Sequence, residues 1–326
     1  MDDTQCCNPG AIVVEGDGKV HVGWTGELTW IRHAVDDGAG FEIEDVVQAG
    51  GSAMAVDADG VIHFALVQRL GAAALQYVSN ATGDWEWEIM AGNPVVGATP
   101  TIVAADDGIH LAYPRGLSNA VEVATDASGA WATEPVGETT NVGVFLAIAQ
   151  DGTAHVTFMD PETFHVMHAA KRGDEWVVDD IAAEFGSAYS VLAVAPDGSA
   201  HMAWTGWNTG HLNYATDVTG EWVVETIADE GLASNFAAIA VDSEGHPFVS
   251  YTETHGVWDG TLRLMTNASG EWVGRDVEGT GNAWYSAIAI GPDDDVHIAY
   301  GDRADVLHVN ISAADGVDQD CDGEAW

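Results

Sequence analysis

Positive charge is scarce in this chain. Nine Lys and Arg stand against 52 Asp and Glu, which gives a formal net charge of −43 over 326 residues. Such a surface repels the phosphate backbone of nucleic acids and the anionic face of a membrane, so we expect neither as a partner. Because cations relieve the mutual repulsion of the acids, this composition is typical of a halotolerant or extracellular protein.

Long apolar segments are also missing. No run approaches the roughly 18 residues that a membrane-spanning helix needs, so we expect no membrane insertion. A hydrophobic share of 47% together with 38 glycines is instead typical of a folded β protein with many tight turns.

Cysteine is confined to the two ends of the chain, at Cys6, Cys7 and Cys321. This placement predicts a disulfide between the ends, from Cys321 to either Cys6 or Cys7. No signal peptide precedes Asp2, which fits either a cytoplasmic protein or a mature chain that carries a start methionine. Since disulfides persist in oxidising compartments, the cysteines favour an extracellular or cell-envelope location.

Familiar catalytic motifs are absent as well. The sequence contains no Gly-x-Ser-x-Gly, no His-Glu-x-x-His and no phosphate-binding glycine loop. Pairs of carboxylates carry no information in a chain with 52 acids. The motifs therefore give no direct indication of an enzyme.

The chain does contain a sequence motif that recurs seven times. It reads hydrophobic-Ala-hydrophobic, an Asp/Gly turn, and then His-hydrophobic-small-aromatic, as in AVDADGVIHFAL and AVAPDGSAHMAW. The histidine position is filled, at intervals of 42 to 49 residues, by His21, His63, His110, His155, His201, Phe248 and His297. This period fits units of four short strands and is too long for leucine-rich or ankyrin repeats.

Each unit continues with further segments of alternating apolar and polar residues, which predict strands. One is typified by LNYATDV, and the next is opened in five units by a tryptophan after a glycine turn, as in GEWVVET. Since a four-stranded blade cannot bury both of its faces alone, seven units should close into a ring. The sequence thus predicts an all-β, seven-bladed β-propeller at 11–314, between an N-terminal tail at 1–10 and an acidic C-terminal tail at 315–326.

The repeat resembles a widespread bacterial propeller repeat of the form DGxxHhxY…LxYAT…GxW, related in shape to sialidase-like and lectin propellers. The resemblance covers 11–314 and has two departures. The first unit has GFEIEDV where others have the tryptophan segment, and the last unit runs out after its third strand. We therefore expect a seventh blade that is either three-stranded or completed by residues 1–8.

Six histidines at one repeat position suggest a metal ring, because imidazole is a common metal ligand. Only the innermost strand of a blade lines the channel, however, and second-strand side chains point between blades. We interpret these histidines as structural, bonded to backbone groups of the next blade. The same interpretation applies to the repeated aromatics Trp85, Trp131, Trp176, Trp222 and Trp272, and to Trp24, Tyr113, Phe158, Trp204, Tyr251 and Tyr300.

A binding site is expected where the repeat is broken. The position at the start of the inner strand is small in blades one to four and aromatic in the last three, at Tyr189, Phe236 and Tyr285. The same blades carry the off-repeat tryptophans Trp207, Trp258 and Trp284. Because the loops concerned emerge on one side of the ring, these six residues predict an aromatic wall for a ligand, with ordinary loop packing as the alternative.

Three of the nine cations, Arg69, Arg115 and Arg303, lie in loops between second and third strands. On one face of so acidic a chain, they suggest a site for a carboxylate or sulfate group. The alternative is that they pair with neighbouring acids.

The C-terminal tail contains Asp318, Asp320 and Asp322 before Gly323, a spacing that can wrap oxygen ligands around calcium. The bidentate glutamate of a full loop would fall at position 329, so only half of the motif is present, and a solvated acidic tail is the alternative. The stretch DGVDQDCDGE resembles the DGVDxDCDG motifs of secreted and surface proteins of myxobacteria and their relatives. This resemblance implies an extracellular or envelope location.

Three functions fit these observations. The leading hypothesis is a secreted or envelope-associated, lectin-like propeller that binds a carbohydrate or another extracellular ligand on its asymmetric face. The second is a polysaccharide lyase or glycoside hydrolase acting on an acidic polysaccharide, with Tyr251, Glu253 and His255 as acid–base candidates. The third is a protein-interaction scaffold, because propellers host unrelated functions on one frame.

Overall fold

A computed structural model describes residues 8–26, 30–68, 74–92, 100–116, 119–139, 143–182, 189–229, 232–256, 259–277, 280, 283–302 and 305–311. Every regular element in these ranges is a β-strand, and together the strands form seven antiparallel sheets. Nothing in this described part is a helix that could cross a membrane.

The 27 strands follow one another blade by blade. Blade 1 contains β1 Asn8–Val14, β2 Val20–Thr25, β3 Trp30–Asp36 and β4 Glu42–Gln48. Blade 2 contains β5 Gly50–Val56, β6 Ile62–Gln68, β7 Ala74–Ser79 and β8 Glu86–Gly92. Blade 3 contains β9 Thr101–Ala105, β10 Gly108–Arg115, β11 Ala120–Thr125 and β12 Ala132–Glu138. Blade 4 contains β13 Phe145–Ile148, β14 Ala154–Met159, β15 Val166–Arg172 and β16 Glu175–Ala182.

The remaining blades continue the series. Blade 5 contains β17 Ser190–Val194, β18 Ala200–Thr205, β19 Leu212–Thr216 and β20 Val223–Ala228. Blade 6 contains β21 Leu232–Val241, β22 Pro247–Gly256, β23 Asp259–Thr266 and β24 Val273–Asp276. Blade 7 contains β25 Ala283–Ile290, β26 Val296–Asp302 and β27 Asp305–Ile311. Within each sheet the strands pair in chain order, which confirms the predicted seven-bladed β-propeller.

The seventh blade has three strands among the described residues, β25, β26 and β27. Residues 8–14 do not complete it, because they form β1 and pair with β2 of blade 1. The suggestion that residues 1–8 close blade 7 is therefore wrong for Asn8, and residues 1–7 lie outside the described ranges.

The recurrent Asp-Gly turns connect inner strands to second strands. In blade 2 the Asp57 carboxylate accepts hydrogen bonds from the backbone N–H groups of Asp59 and Val61, each at 2.9 Å. Gly60 has a φ of 76°, a left-handed conformation that a side chain would strain. This turn chemistry explains why the motif recurs at the same place in successive repeats.

Apolar clusters lie between the blades. Each of the seven clusters joins residues of two adjacent blades, so every interface around the ring has its own core. One of them packs Ile12, Val22 and Trp24 of blade 1 with Ala299 of blade 7. The ring is therefore closed by side-chain packing between its first and last blades.

The repeated histidines are buried and bonded inside their own blades. Second-strand rings meet a ring on the third strand in the pairs His21–His33, His63–Tyr77, His155–His168, His201–Tyr214 and His297–His308, at 2.5 to 3.1 Å between polar atoms. His110 instead bonds Asp107 of its own turn at 2.8 Å. The structural interpretation fits these contacts, whereas the predicted acceptor, a backbone group of the next blade, was wrong for these rings.

The repeated tryptophans lie in blades 2 to 6 and pack against the preceding blade. Four of them donate their indole N–H to an acid on the preceding outer strand, in the pairs Trp85–Glu44, Trp131–Glu88, Trp222–Asp179 and Trp272–Glu225. The same indoles lie edge-on to the third-strand ring of that blade, as Trp222 does to His168 at 4.8 Å between centroids. Indole and imidazole thus form one continuous contact across the interface.

Two blades vary this arrangement. In blade 4, Lys171 forms an ion pair with Glu134 of blade 3 and lies 5.3 Å above the ring of Trp176. In blade 1, Phe41 takes the place of the tryptophan and meets His308 of blade 7 edge-on at 5.5 Å.

We predict that Trp222→Ala lowers the free energy of unfolding by about 2–4 kcal/mol, because it removes a packed ring from an interface between blades. Trp222→Phe should cost about 1 kcal/mol, since it removes mainly the hydrogen bond to Asp179. Trp207→Ala is the matched control, because Trp207 is 63% exposed and its loss should change stability little. Denaturant unfolding measures all three, and equal losses for Trp222→Ala and Trp207→Ala would contradict the role given to the repeat.

Acid should destabilise the ring through its buried histidines. Burial, together with His155 and Arg172, lowers the pKa of His168 to about 3, and burial with His297 lowers that of His308 to about 4. These rings stay neutral in the folded chain and protonate in the unfolded chain near pH 6.5, so stability falls as the pH drops below that value. His168 alone should cost about 2 kcal/mol between pH 6.5 and pH 5.

Urea unfolding at several pH values measures this effect. His168→Gln should reduce the slope of stability against pH in the acid range, even though it lowers stability at neutral pH. An unchanged slope would show that His168 does not carry the acid sensitivity.

Candidate functional site

One end of the ring collects the loops where the repeat is broken. We call it the upper face: the end at which second strands run into third strands and outer strands run into the next inner strand. Antiparallel pairing places these two kinds of loop on the same side. Those predicted aromatic and arginine residues that the structure describes belong to this face.

Three of the predicted aromatic residues meet there. Phe236 contacts Tyr189 at 5.1 Å and Tyr285 at 4.3 Å between ring centroids. All three rings are half-buried, and they come from blades 5, 6 and 7. We call this group the aromatic triad; it forms a continuous ring surface where three inner strands begin.

β-Bulges explain how two of these rings reach their positions. The pairing of β21 with β22 shifts between Ala233 and Ala237, around Phe236. The pairing of β25 with β26 shifts between Ala283 and Ser286, around Tyr285. A bulge re-aims a side chain and ends regular pairing. Because of the extra residues, the side chains of Phe236 and Tyr285 need not follow the regular alternation between the two faces of the sheet.

The same place in blade 2 holds glycine. The pairing of β5 with β6 also shifts, between Gly50 and Ser52, and Gly51 there has a φ of 68°. Blade 2 therefore has the bulge without a side chain, while blades 6 and 7 use it to present rings. The β-bulge is therefore common to these blades, and the residue that it carries differs between them.

The tyrosines of the triad are neutral near physiological pH. Burial raises the pKa of Tyr189 and of Tyr285, and for Tyr189 the nearby Tyr285 adds to the shift. A neutral phenol can both donate and accept a hydrogen bond. The triad therefore combines flat apolar ring faces with two hydroxyl groups and no formal charge.

Of the other predicted aromatic residues, the structure describes Trp207 and Trp284. Trp207 lies in the turn between β18 and β19 and is exposed. Trp284 precedes Tyr285 in the bulge of β25 and is partly buried. Trp258 lies outside the described residues.

Arg115 is engaged by a neighbouring acid. Its guanidinium donates to Glu122 at 2.7 Å, and the same carboxylate accepts the hydroxyl of Tyr113 at 2.8 Å. Glu122 is buried, so it needs these donors. Arg115 thus forms an ion pair within blade 3. Arg69 and Arg303 lie outside the described residues.

The acid–base candidates of blade 6 are similarly occupied. Glu253 forms an ion pair with Arg263 at 2.8 Å, and Arg263 also contacts Asp276 at 3.0 Å. Tyr251 is buried beside this guanidinium, and burial raises its pKa. His255 belongs to β22, but its side chain is outside the described part. A paired carboxylate beside a neutral buried phenol is typical of a structural ion pair.

Arg263 was missed in the sequence, although the repeat contained a signal for it. Arg115 and Glu122 of blade 3 occupy the same strand positions as Glu253 and Arg263 of blade 6, with the charges exchanged. A tyrosine, Tyr113 or Tyr251, stands beside each pair. Aligning the third strands of the repeats would have revealed this complementarity.

This equivalence predicts the outcome of a charge exchange. Arg115→Glu and Glu122→Arg should each lower stability, on the order of 1–3 kcal/mol, because each leaves like charges in contact near the interface. The double variant should recover most of the loss, since it reproduces the arrangement of blade 6. Thermal or urea unfolding measures the coupling; additive losses would contradict the equivalence.

No group of three or more His, Cys, Asp and Glu able to hold a metal ion occurs in the described ranges. The predicted calcium ligands Asp318, Asp320 and Asp322 lie outside those ranges. So do the three cysteines of the predicted disulfide, Cys6, Cys7 and Cys321.

Comparison with known proteins identifies the fold. No protein-family model matches the chain, and no curated protein matches its sequence. A lectin of Aleuria aurantia in complex with Fucα1-6GlcNAc is similar in structure, with a TM-score of 0.61 and 14% identity over 83% of this chain and 95% of that one. The predicted likeness in shape to lectin propellers is confirmed.

Two other similar structures have different activities. Hydrazine synthase of Kuenenia stuttgartiensis has a TM-score of 0.64 and 14% identity over 94% of this chain and 97% of that one. An ulvan lyase of polysaccharide lyase family PL25, bound to -[GlcA(1-4)Rha3S]-, has a TM-score of 0.62 and 13% identity over 94% of each chain. At these identities the comparisons show a common fold, which hosts unrelated functions.

Proposed function

We propose that this propeller is a lectin-like protein that binds carbohydrate on its upper face, with the aromatic triad as the contact surface. The observation that carries the proposal is the continuous contact of Tyr189, Phe236 and Tyr285. These rings occupy positions where the other blades have small residues. Variation at a scaffold position is typical of a site that serves binding.

The chemistry of the triad favours a neutral sugar. The apolar C–H face of a pyranose packs on aromatic rings, and phenol groups can bond its hydroxyls. An anionic sugar would meet the field of a chain with a net charge of −43, and Arg115 is already bonded to Glu122. Two lectins of similar structure, the Aleuria aurantia lectin and SapL1, were solved with fucose-containing ligands, so α-fucosides are the first compounds to test.

An enzymatic role has weaker support. Tyr251 and Glu253 would have to exchange protons, yet Glu253 is paired with Arg263 and Tyr251 is buried. A glycan array run together with reducing-sugar and unsaturated-uronate assays separates the three hypotheses. Turnover of a polysaccharide would favour the enzyme. The absence of both binding on the array and turnover in the assays would favour a protein-interaction scaffold.

The location and the metal also remain proposals. We infer an extracellular or envelope location from the cysteines and from the likeness of residues 315–324 to motifs of secreted proteins. Calcium at Asp318, Asp320 and Asp322 is supported by their spacing alone.

We predict that Tyr285→Leu weakens the binding of a sugar ligand by about 1–3 kcal/mol, because it removes one ring face and one hydroxyl while keeping an apolar side chain. Titration calorimetry with a glycan selected on the array measures this change. Tyr189→Leu should act in the same direction, since Tyr189 lies at the other end of the triad.

Phe164→Asn is the matched control. Phe164 is an exposed ring on the upper face of blade 4, and its φ of 59° suits asparagine. This substitution should leave binding unchanged. Unchanged affinity in both tyrosine variants, with their fold intact, would show that the triad is ordinary packing.

A further inference from the structure

A crevice lies between blades 4 and 5 and shares no lining residue with the aromatic triad. Its volume is about 310 Å³, close to the lower end of the range of small-molecule sites. It is lined by Ile181, Ala182, Trp204, Asn213, Val224, Glu225 and Thr226. Ile181 and Ala182 end β16, and Asn213 lies near the start of β19, so the crevice belongs to the upper half of the interface.

The lining divides into a buried floor and an exposed rim. Ile181, Trp204 and Asn213 are buried, whereas Val224, Glu225 and Thr226 of the outer strand are exposed. The floor combines an aliphatic wall from blade 4 with an indole and an amide from blade 5. This combination of apolar surface and few polar groups is typical of ligand sites.

The indole N–H of Trp204 is the unusual group in this floor. Trp204 is 1% exposed, and within the described residues its ring nitrogen has no hydrogen-bond partner. Among the repeated tryptophans that pack between blades, Trp85, Trp131 and Trp222 donate to acids. The indole nitrogen of Trp176 also has no partner within the described residues, but its ring lies 5.3 Å from the ammonium of Lys171. A buried donor without an acceptor is costly unless a ligand or water supplies one.

The repeat shows why Trp204 has no acceptor in its own blade. In blade 3 the equivalent residue, Tyr113, donates to Glu122 on the third strand. Blade 5 has Asn213 in place of that glutamate. The amide oxygen of Asn213 accepts from Thr226 at 2.9 Å, and its nitrogen donates to the backbone of His211. In blade 5 the residue at the position of Glu122 is therefore Asn213, and its amide oxygen accepts from Thr226.

We propose that this crevice is a second binding site, which takes a small, uncharged, hydroxyl-bearing ring such as one residue of a neutral sugar. An oxygen of the ligand accepts the hydrogen bond of Trp204 Nε1, and its apolar face packs on Ile181 and Ala182. No Lys, Arg or His lines the crevice, and the carboxylate of Glu225 stands at its rim, so an anion is excluded. This site goes beyond the proposed function, because it shares no residue with the aromatic triad.

The test follows the indole proton of Trp204 by NMR in the full chain labelled with ¹⁵N. Trp204→Phe keeps an aromatic ring in the floor and identifies the resonance by its loss. Titration with methyl glycosides of neutral hexoses and deoxyhexoses should shift this resonance in the wild-type protein. Because Trp204→Phe lacks this resonance, its affinity is followed through the backbone amide resonances of Asn213 and Thr226, and it should fall about five- to tenfold, as expected for one lost hydrogen bond.

Two further variants keep the result interpretable if Trp204→Phe is unstable. Val224→Trp changes an exposed rim residue and should block the crevice, which abolishes the shift of the Trp204 resonance. Trp24→Phe is the control, because Trp24 is buried at the same repeat position in blade 1; it should leave the titration unchanged.

The triad variant Tyr285→Leu separates the two sites. A Trp204 shift that persists in Tyr285→Leu supports a site independent of the triad, even if binding at the triad fails. If none of the glycosides moves the Trp204 resonance, or if Val224→Trp leaves its shift unchanged, the crevice is not a site. That result would leave binding at the triad unaffected.

Discussion

The contact between an indole of one blade and the imidazole or phenol of the blade before it holds this ring together. The indole edge packs on the preceding third-strand ring, and its N–H reaches an acid on the preceding outer strand, as in Trp272 with Tyr214 and Glu225. The third-strand ring is in turn bonded to the second-strand histidine. The four interfaces formed by Trp85, Trp131, Trp222 and Trp272 are therefore specified by ring packing and hydrogen bonding at once, and the residues that provide these contacts repeat.

This contact also suits the extreme acidity of the chain. Nine cations cannot pair with 52 acids, so acids near the interfaces need donors that carry no positive charge. Indole N–H groups serve Glu44, Glu88 and Glu225, and backbone N–H groups serve the turn carboxylates such as Asp57. The few arginines are then placed where an acid is enclosed, as Arg115 is beside Glu122.

Because the interfaces are fixed by repeated residues, other positions are free to differ between blades. The bulge at the start of the inner strand holds glycine in blade 2 and aromatic rings in blades 6 and 7. The third-strand position opposite the second-strand aromatic is Glu122, Asn213 or Arg263 in three blades. Both kinds of variable position lie toward the upper face, which is why the candidate sites collect there.

The sequence by itself determined the number of blades, their turns and the interface tryptophans, since these depend on patterns a few residues long that recur at a fixed period. It also singled out Tyr189, Phe236 and Tyr285 as departures from the repeat. Only the tertiary structure decided that these three rings touch, and that Arg263 neutralises Glu253. It also decided that Trp204 lines a crevice and that its indole N–H has no partner within the described residues. These contacts depend on strand register, on bulges and on the closure of the ring, which bring together residues far apart in the chain and leave no local pattern.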